Sequence, residues 1–166
     1  MSRLDPLAAC LRSLGSVLVI ALGLGACAST NPYLGEGRPN MVIRTDTGER
    51  TLRSATNAWV EVQRVVVPGC HAESEGQVSL RSPVESLHLP AGRLTNLVFK
   101  FRTSSFGSGA LSATDYTTLI RPRESFTYEA TVTYNAGLFS VDILERAPGA
   151  PSRKLPHHDI SACQRV

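Results

Sequence analysis

His157, His158 and Asp159 stand side by side near the end of the chain, and side chains of these types can ligate a metal. Adjacent histidines on an extended segment point in opposite directions, and no further ligand follows at helical spacing. His71 and His88 reach them only if the fold brings them there, so no metal site and no cofactor is assigned. Asp46, Thr47 and Gly48 match a tripeptide in which two carboxylates share one proton during hydrolysis. The tripeptide occurs once, so a second copy of the chain would have to supply the other carboxylate. Its flanks, "VIRT" and "ERTL", lack the apolar residues that bury such a loop, and Asp-Thr-Gly between strand-like runs is turn chemistry. In "SSFGSGALS", residues 104–112, two glycines bracket Ser108, but the Gly-Lys-Ser/Thr ending of a phosphate loop is missing. That stretch is expected to be a hairpin connection, with Phe106 either touching a partner or plugging the core. No Ser, His and Asp can be ordered into a triad from spacing, and no catalytic residue is assigned.

The elements that would position such groups follow a period of two. Phe126, Tyr128, Ala130, Val132 and Tyr134 alternate with Thr127, Glu129, Thr131 and Thr133. "NAG" at 135–137 then supplies a turn, and Phe139, Val141 and Ile143 resume the alternation, which predicts an antiparallel hairpin. Leu97, Phe99 and Phe101 alternate with Asn96, Val98, Lys100 and Arg102 in another strand. Further strands are expected over Met41–Thr45, Trp59–Val67, Gln77–Arg81, Val84–Leu89 and Thr117–Arg121, with "RPR" at 121–123 as a strand end. Leu52–Ala58 is the only stretch that admits a short helix. There is no internal repeat. The pattern argues an all-β fold, a single antiparallel sandwich of about seven to eight strands.

The first part of the chain obeys a different rule. Arg3 and Arg12 flank a short start that also carries Asp5, and no charged residue occurs from Ser13 until Glu36. The apolar stretch Leu14–Ala26 is 13 residues long. A bilayer-spanning helix needs about 20, whereas the apolar region of a signal peptide needs roughly 7–15. Leu24, Gly25 and Ala26 place one aliphatic and two small residues directly before Cys27. This resembles the lipobox of bacterial lipoproteins. The resemblance implies a signal peptide at 1–26, removed together with Cys10, and a diacylglycerol on the Cys27 thiol with a further acyl chain on the new amino end. Two or more chains anchor stably where one does not. Ala28 stands where an Asp would signal retention in the inner membrane, which implies the outer membrane of a Gram-negative cell, facing the periplasm or the outside. Residues 28–40, with Pro32, Gly35, Gly37 and Pro39, are expected to be a flexible or extended tether. The tether with its lipidated cysteine therefore covers 27–40, and the domain 41–166.

With Cys10 and Cys27 so assigned, Cys70 and Cys163 remain, and an even pair in an oxidising compartment predicts a disulfide. The other readings are a reactive Cys70 beside His71 or a Cys/His metal site. "LPAGR" at 89–93, then a strand and a hairpin ending "ERAPG", resembles the small transthyretin-like or immunoglobulin-like sandwiches of bacterial lipoproteins over roughly 84–149, and carries no catalytic residue with it.

The 166 residues suffice for one domain and a leader, and a net charge of +3 does not advertise a polyanion partner. Arg far outnumbers Lys, as a GC-rich genome would also produce. The expected function is a non-catalytic binding or assembly role in the envelope, with membrane lipid and an envelope protein as partners and no nucleic acid. Alternatives are a small-molecule, glycan or metal-binding module and a hydrolytic enzyme. A concave pocket gathering acids or histidines would favour the alternatives; a flat apolar patch would favour a protein partner.

Overall fold

The computed structural model describes residues 31–46, 54–105, 111–135 and 138–166. Leu24 to Cys27, Cys10, Thr47, Gly48 and Phe106 lie outside them, as do Ala136 and Gly137. The described residues form nine strands: β1 (Met41–Asp46), β2 (Ser54–Val66), β3 (His71–Ser79), β4 (Val84–Leu87), β5 (Thr95–Ser105), β6 (Leu111–Ile120), β7 (Thr127–Asn135), β8 (Leu138–Arg146) and β9 (Arg153–Lys154). One sheet has the order β4-β1-β7-β8-β9 and the other β3-β2-β5-β6. The all-β sandwich is therefore present. It is mostly, not wholly, antiparallel: β1 runs parallel to β7, with Met41 opposite Tyr128 and Asp46 opposite Thr133. Among the described residues there is no helix long and apolar enough to cross a membrane.

The alternation in the sequence maps onto the core. Ala58, Val60 and Val62 of β2, Leu97, Phe99 and Phe101 of β5, Tyr128, Ala130 and Val132 of β7, and Val141 and Ile143 of β8 are all buried between the sheets. Phe101 stacks on Phe139 at 4.1 Å between ring centroids, tying the two sheets together at one end. The hairpin predicted around "NAG" is β7–β8, with Asn135 opposite Leu138.

Several boundaries differ from the sequence pattern. The helix allowed at Leu52–Ala58 is not formed where the chain is described. From Ser54 the backbone is strand, paired with β5 from Ser105 to Arg102, and that ladder outweighs any local helical preference. The connection expected over 104–112 is shorter, because Ser104 pairs with Leu111 and Thr103 with Ser112. β3 starts at His71 rather than Gln77. Its polar residues do not alternate with apolar ones, because it is the edge strand of its sheet.

The two ends of the described chain close the two open sides of the sandwich. On one side β3 and β4 are the sheet edges. Residues 31–40, expected as part of a tether, lie along both. The Tyr33 amide donates to the Gln77 carbonyl and the Gln77 amide to the Asn31 carbonyl, each at 2.9 Å. The Tyr33 hydroxyl donates to the His88 carbonyl at 2.6 Å. The Asn40 side chain donates to the Leu89 carbonyl and accepts from the Leu89 amide, both at 2.8 Å. Two glycines permit the close approach: a Cβ on Gly76 would lie 2.7 Å from the Tyr33 Cα, and one on Gly35 would lie 2.6 Å from the His88 oxygen.

On the other side the chain after β8 folds back as β9, and the Leu155 amide donates to the Ile143 carbonyl at 2.8 Å. The Leu119 amide then donates to the His158 carbonyl at 2.9 Å, so the tail crosses from one sheet to the other. A 3-10 turn at Ile160–Ala162 follows, capped by the Asp159 carboxylate accepting from the Ser161 amide. Cys163 is disulfide-paired with Cys70, Cα atoms 5.8 Å apart, within a small apolar cluster with Val65, Leu94 and Leu119.

Candidate functional site

A cleft of about 550 Å³ opens at the end of the sandwich where β6 passes into β7. Its first wall is set by the connection between them. Pro122 is fully buried, and the Gly92 amide donates to its carbonyl at 2.7 Å, so the arginines on either side are held at fixed backbone positions. The Arg123 amide donates to the Tyr128 hydroxyl at 2.9 Å. A tyrosine at the start of a strand that binds backbone five residues upstream is the tyrosine-corner arrangement of sandwiches. Burial raises the Tyr128 hydroxyl pKa, against the lowering effect of that bond, so it stays a neutral hydrogen-bonding group.

The second wall comes from β8. Its inward parity runs Val141, Ile143, Glu145, which places a carboxylate at the end of the core face with 3% of its surface exposed. A lone buried carboxylate is costly. Here its Oε1 atom meets Arg123 at 3.3 Å and also Arg153, delivered by β9. Arg123 lies 4.9 Å from the Phe126 ring centre, a cation–π contact. Arg121 donates to the Val166 main-chain oxygen at 2.9 Å. Leu155 and Pro156 add apolar wall, and Lys154 on the rim is paired with Asp142.

Glu145 is enclosed between two guanidiniums and acts as an acceptor that orients them. Arg121, Arg123 and Arg153 line the cleft with guanidinium hydrogen-bond donors, and His158 lines it with them.

The residues singled out in the sequence fall elsewhere or only at the margin. His158 lines the cleft, whereas the His157 ring lies against Tyr116, 5.1 Å between centroids. The His88 ring meets the Arg38 carbonyl at 2.8 Å, and His71 opens β3. Among the described residues no group of three His, Cys, Asp or Glu side chains could hold a metal ion. Asp46 ends β1. Cys70 is in the disulfide, which removes the reactive-thiol reading. Arg121, Arg123, Glu145 and Arg153 were not marked by sequence spacing as a site. One signal was legible: the period of two in β8 points Glu145 inward, and a carboxylate at a core position requires a cationic partner.

A second hollow lies on the outer face of β2, β3 and β5, around Trp59, Arg81 and Arg102, with the Arg102 guanidinium 5.5 Å from the Trp59 ring centre. Among the described residues the large exposed apolar side chains are Leu34 near the start, Val66 and Val67 at one end of β2, Val84 at the start of β4, and Tyr134 and Leu138 at the β7–β8 tip.

Compared with protein-family models, curated proteins and solved structures, the chain matches none of them.

Proposed function

We propose that this chain is a lipid-anchored lipoprotein of a Gram-negative envelope, held by acylated Cys27 in the outer membrane, and that its sandwich is a non-catalytic binding or assembly module. The observation that carries the reading is the Leu24-Gly25-Ala26-Cys27 tetrad closing a 13-residue apolar stretch. The placement of Asn31 and Tyr33 on the edge of β3 gives it a physical consequence. Cys27 and Asn31 are four positions apart, a span of at most about 14 Å in extended chain. A domain so attached rides at the headgroup level and meets partners within reach of the membrane surface.

The test is the intact mass of the protein extracted from its native membrane, with and without reductant. The reading expects a chain beginning at Cys27 with the mass of two or three acyl groups, gaining two hydrogens on reduction. A chain without lipid, or one retaining residues 1–26, overturns it.

The cleft at Glu145 favours one form of the binding role, recognition of a small ligand. Its volume falls within the roughly 300–1,000 Å³ of small-molecule sites. Its polar lining is dominated by three arginines, with one histidine, His158, and one acidic side chain, Glu145, where metal binding or hydrolysis would use a histidine cluster or paired acids.

A further inference from the structure

We infer that the cleft between β9 and the β6–β7 connection takes a carboxylate carried on a small apolar group, with Arg121, Arg123 and Arg153 as its binding residues. The inference rests on the binding-module reading and names the ligand class.

Three observations carry it. The first is charge. Three guanidiniums and one side-chain carboxylate line the cleft, and Lys154 is already matched by Asp142. Arg121 gives one donor to the Val166 main-chain oxygen and Arg123 and Arg153 share Glu145, so the lining holds more guanidinium than side-chain carboxylate charge beside a wall of low polarity. The second is presentation. Arg123 and Arg153 meet the buried Glu145, yet their side chains remain 52% and 63% exposed. A guanidinium has five donor hydrogens, and each arginine directs only part of its set to Glu145, leaving donors for a ligand in the cleft that both line. Glu145 and the Phe126 ring fix these planar groups in advance, which lowers the ordering cost of binding. The third is shape. Leu155 and Pro156 supply an apolar flank next to the charged groups, suited to a ligand with one anionic end and one greasy one. A planar carboxylate can accept two parallel bonds from a guanidinium, and a single negative charge suits so modest a surplus.

The experiment uses isotope-labelled mature protein in detergent. The guanidinium signals of Arg121, Arg123 and Arg153 are followed during titration with N-acetyl-leucine, its neutral amide and inorganic phosphate at matched ionic strength. N-acetyl-leucine is expected to shift these signals saturably, with the amide and phosphate at least about tenfold weaker. Arg121→Gln and Arg153→Gln are each expected to weaken N-acetyl-leucine by about tenfold, and Arg102→Gln, on the outer sheet face, to leave it unchanged. Arg121 meets no buried carboxylate, so its variant keeps the test valid where Arg153→Gln fails to fold. Equal binding of the amide, binding of phosphate in place of the carboxylate, absence of any shift, or unchanged affinity in Arg121→Gln overturns the inference. The mass measurement is independent: a lipidated protein that fails the titration loses this ligand class and keeps its anchor.

Discussion

The two straps that close the sandwich solve one problem by different means. Each covers the open side between two sheet edges, where unpaired backbone groups would otherwise invite strand addition. Each also sends one side chain against the core, Tyr33 from residues 31–40 and Leu155 from the tail. The first is held by hydrogen bonds and by the absence of Cβ atoms at Gly35 and Gly76. The second is held by strand pairing, a capped 3-10 turn and the Cys70–Cys163 bond. A noncovalent strap depends on geometry at each close contact, whereas a covalent one tolerates local error and fails all at once when reduced. The difference also divides their roles: the first strap leads towards Cys27, and the second builds a wall of the cleft.

The largest expected effect is on the covalent strap. Replacing both Cys70 and Cys163 by serine releases a loop spanning 93 positions. The chain-entropy argument gives a loss of about 4–5 kcal/mol, measured by denaturant unfolding, together with loss of the cleft wall. Next comes the geometric strap. Gly76 has φ +135°, and a Cβ there would meet the Tyr33 and Pro32 backbone. Gly76→Ala should cost about 2–3 kcal/mol in the same assay, from strain and overpacking together. Smaller effects probe the inserted side chains. Leu155→Ala should cost about 2 kcal/mol, at the low end for a buried leucine because Leu155 is only partly buried. Tyr33→Phe should cost about 1 kcal/mol for the lost bond to His88. If Tyr33→Phe and Gly76→Ala proved silent while the cysteine pair mattered, the straps would differ in importance as well as in means.

The smallest effect belongs to neither strap. On the outer face of β2 and β5, burial pushes the Glu61 carboxyl up, but hydrogen bonds from Lys100, Gln63 and Ser74 and the Lys100 charge hold it below the ordinary glutamate value. The unfolded chain then binds this proton more readily than the folded one. The stability from this group is present above the unfolded-state pKa and is lost as pH falls through the lower folded-state value. Unfolding midpoints should decline on acidification through that acidic window, and Glu61→Gln should flatten the decline. An equal decline in the variant would remove Glu61 from the account.

How much of this was legible in the sequence depended on whether a residue's environment is local. The alternation in β5, β7 and β8 encodes which face is buried, and Leu97, Phe99, Val141 and Ile143 are where that pattern put them. The pairing of Cys70 with Cys163 followed from the removal of the other two cysteines. The straps were harder. Pro32, Gly35 and Gly37 have the composition of a linker, and nothing local distinguishes a glycine that loosens a chain from one that lets two backbones touch. The partner of Gly35 is His88, far along the sequence. The parallel pairing of β1 with β7 is likewise a long-range choice. At the cleft, "RPR" reads as a strand end because its meaning depends on Glu145 and Arg153, which reach it from two other strands, β8 and β9. Arg121, Arg123 and Arg153 carry no spacing signal.

The central claim is that residues 31–40 and the tail from β9 onward are parts of the folded domain. Amide hydrogen exchange on the oxidised protein tests it most directly, comparing Tyr33 and Gln77 at one strap with Leu119 and Leu155 at the other. The account predicts slow exchange at all four amides, because each donates to a backbone carbonyl across an edge of the sandwich. Exchange of Tyr33 and Gln77 at the rate of an unstructured peptide, with Leu119 and Leu155 still slow, would contradict it and reduce residues 31–40 to a tether.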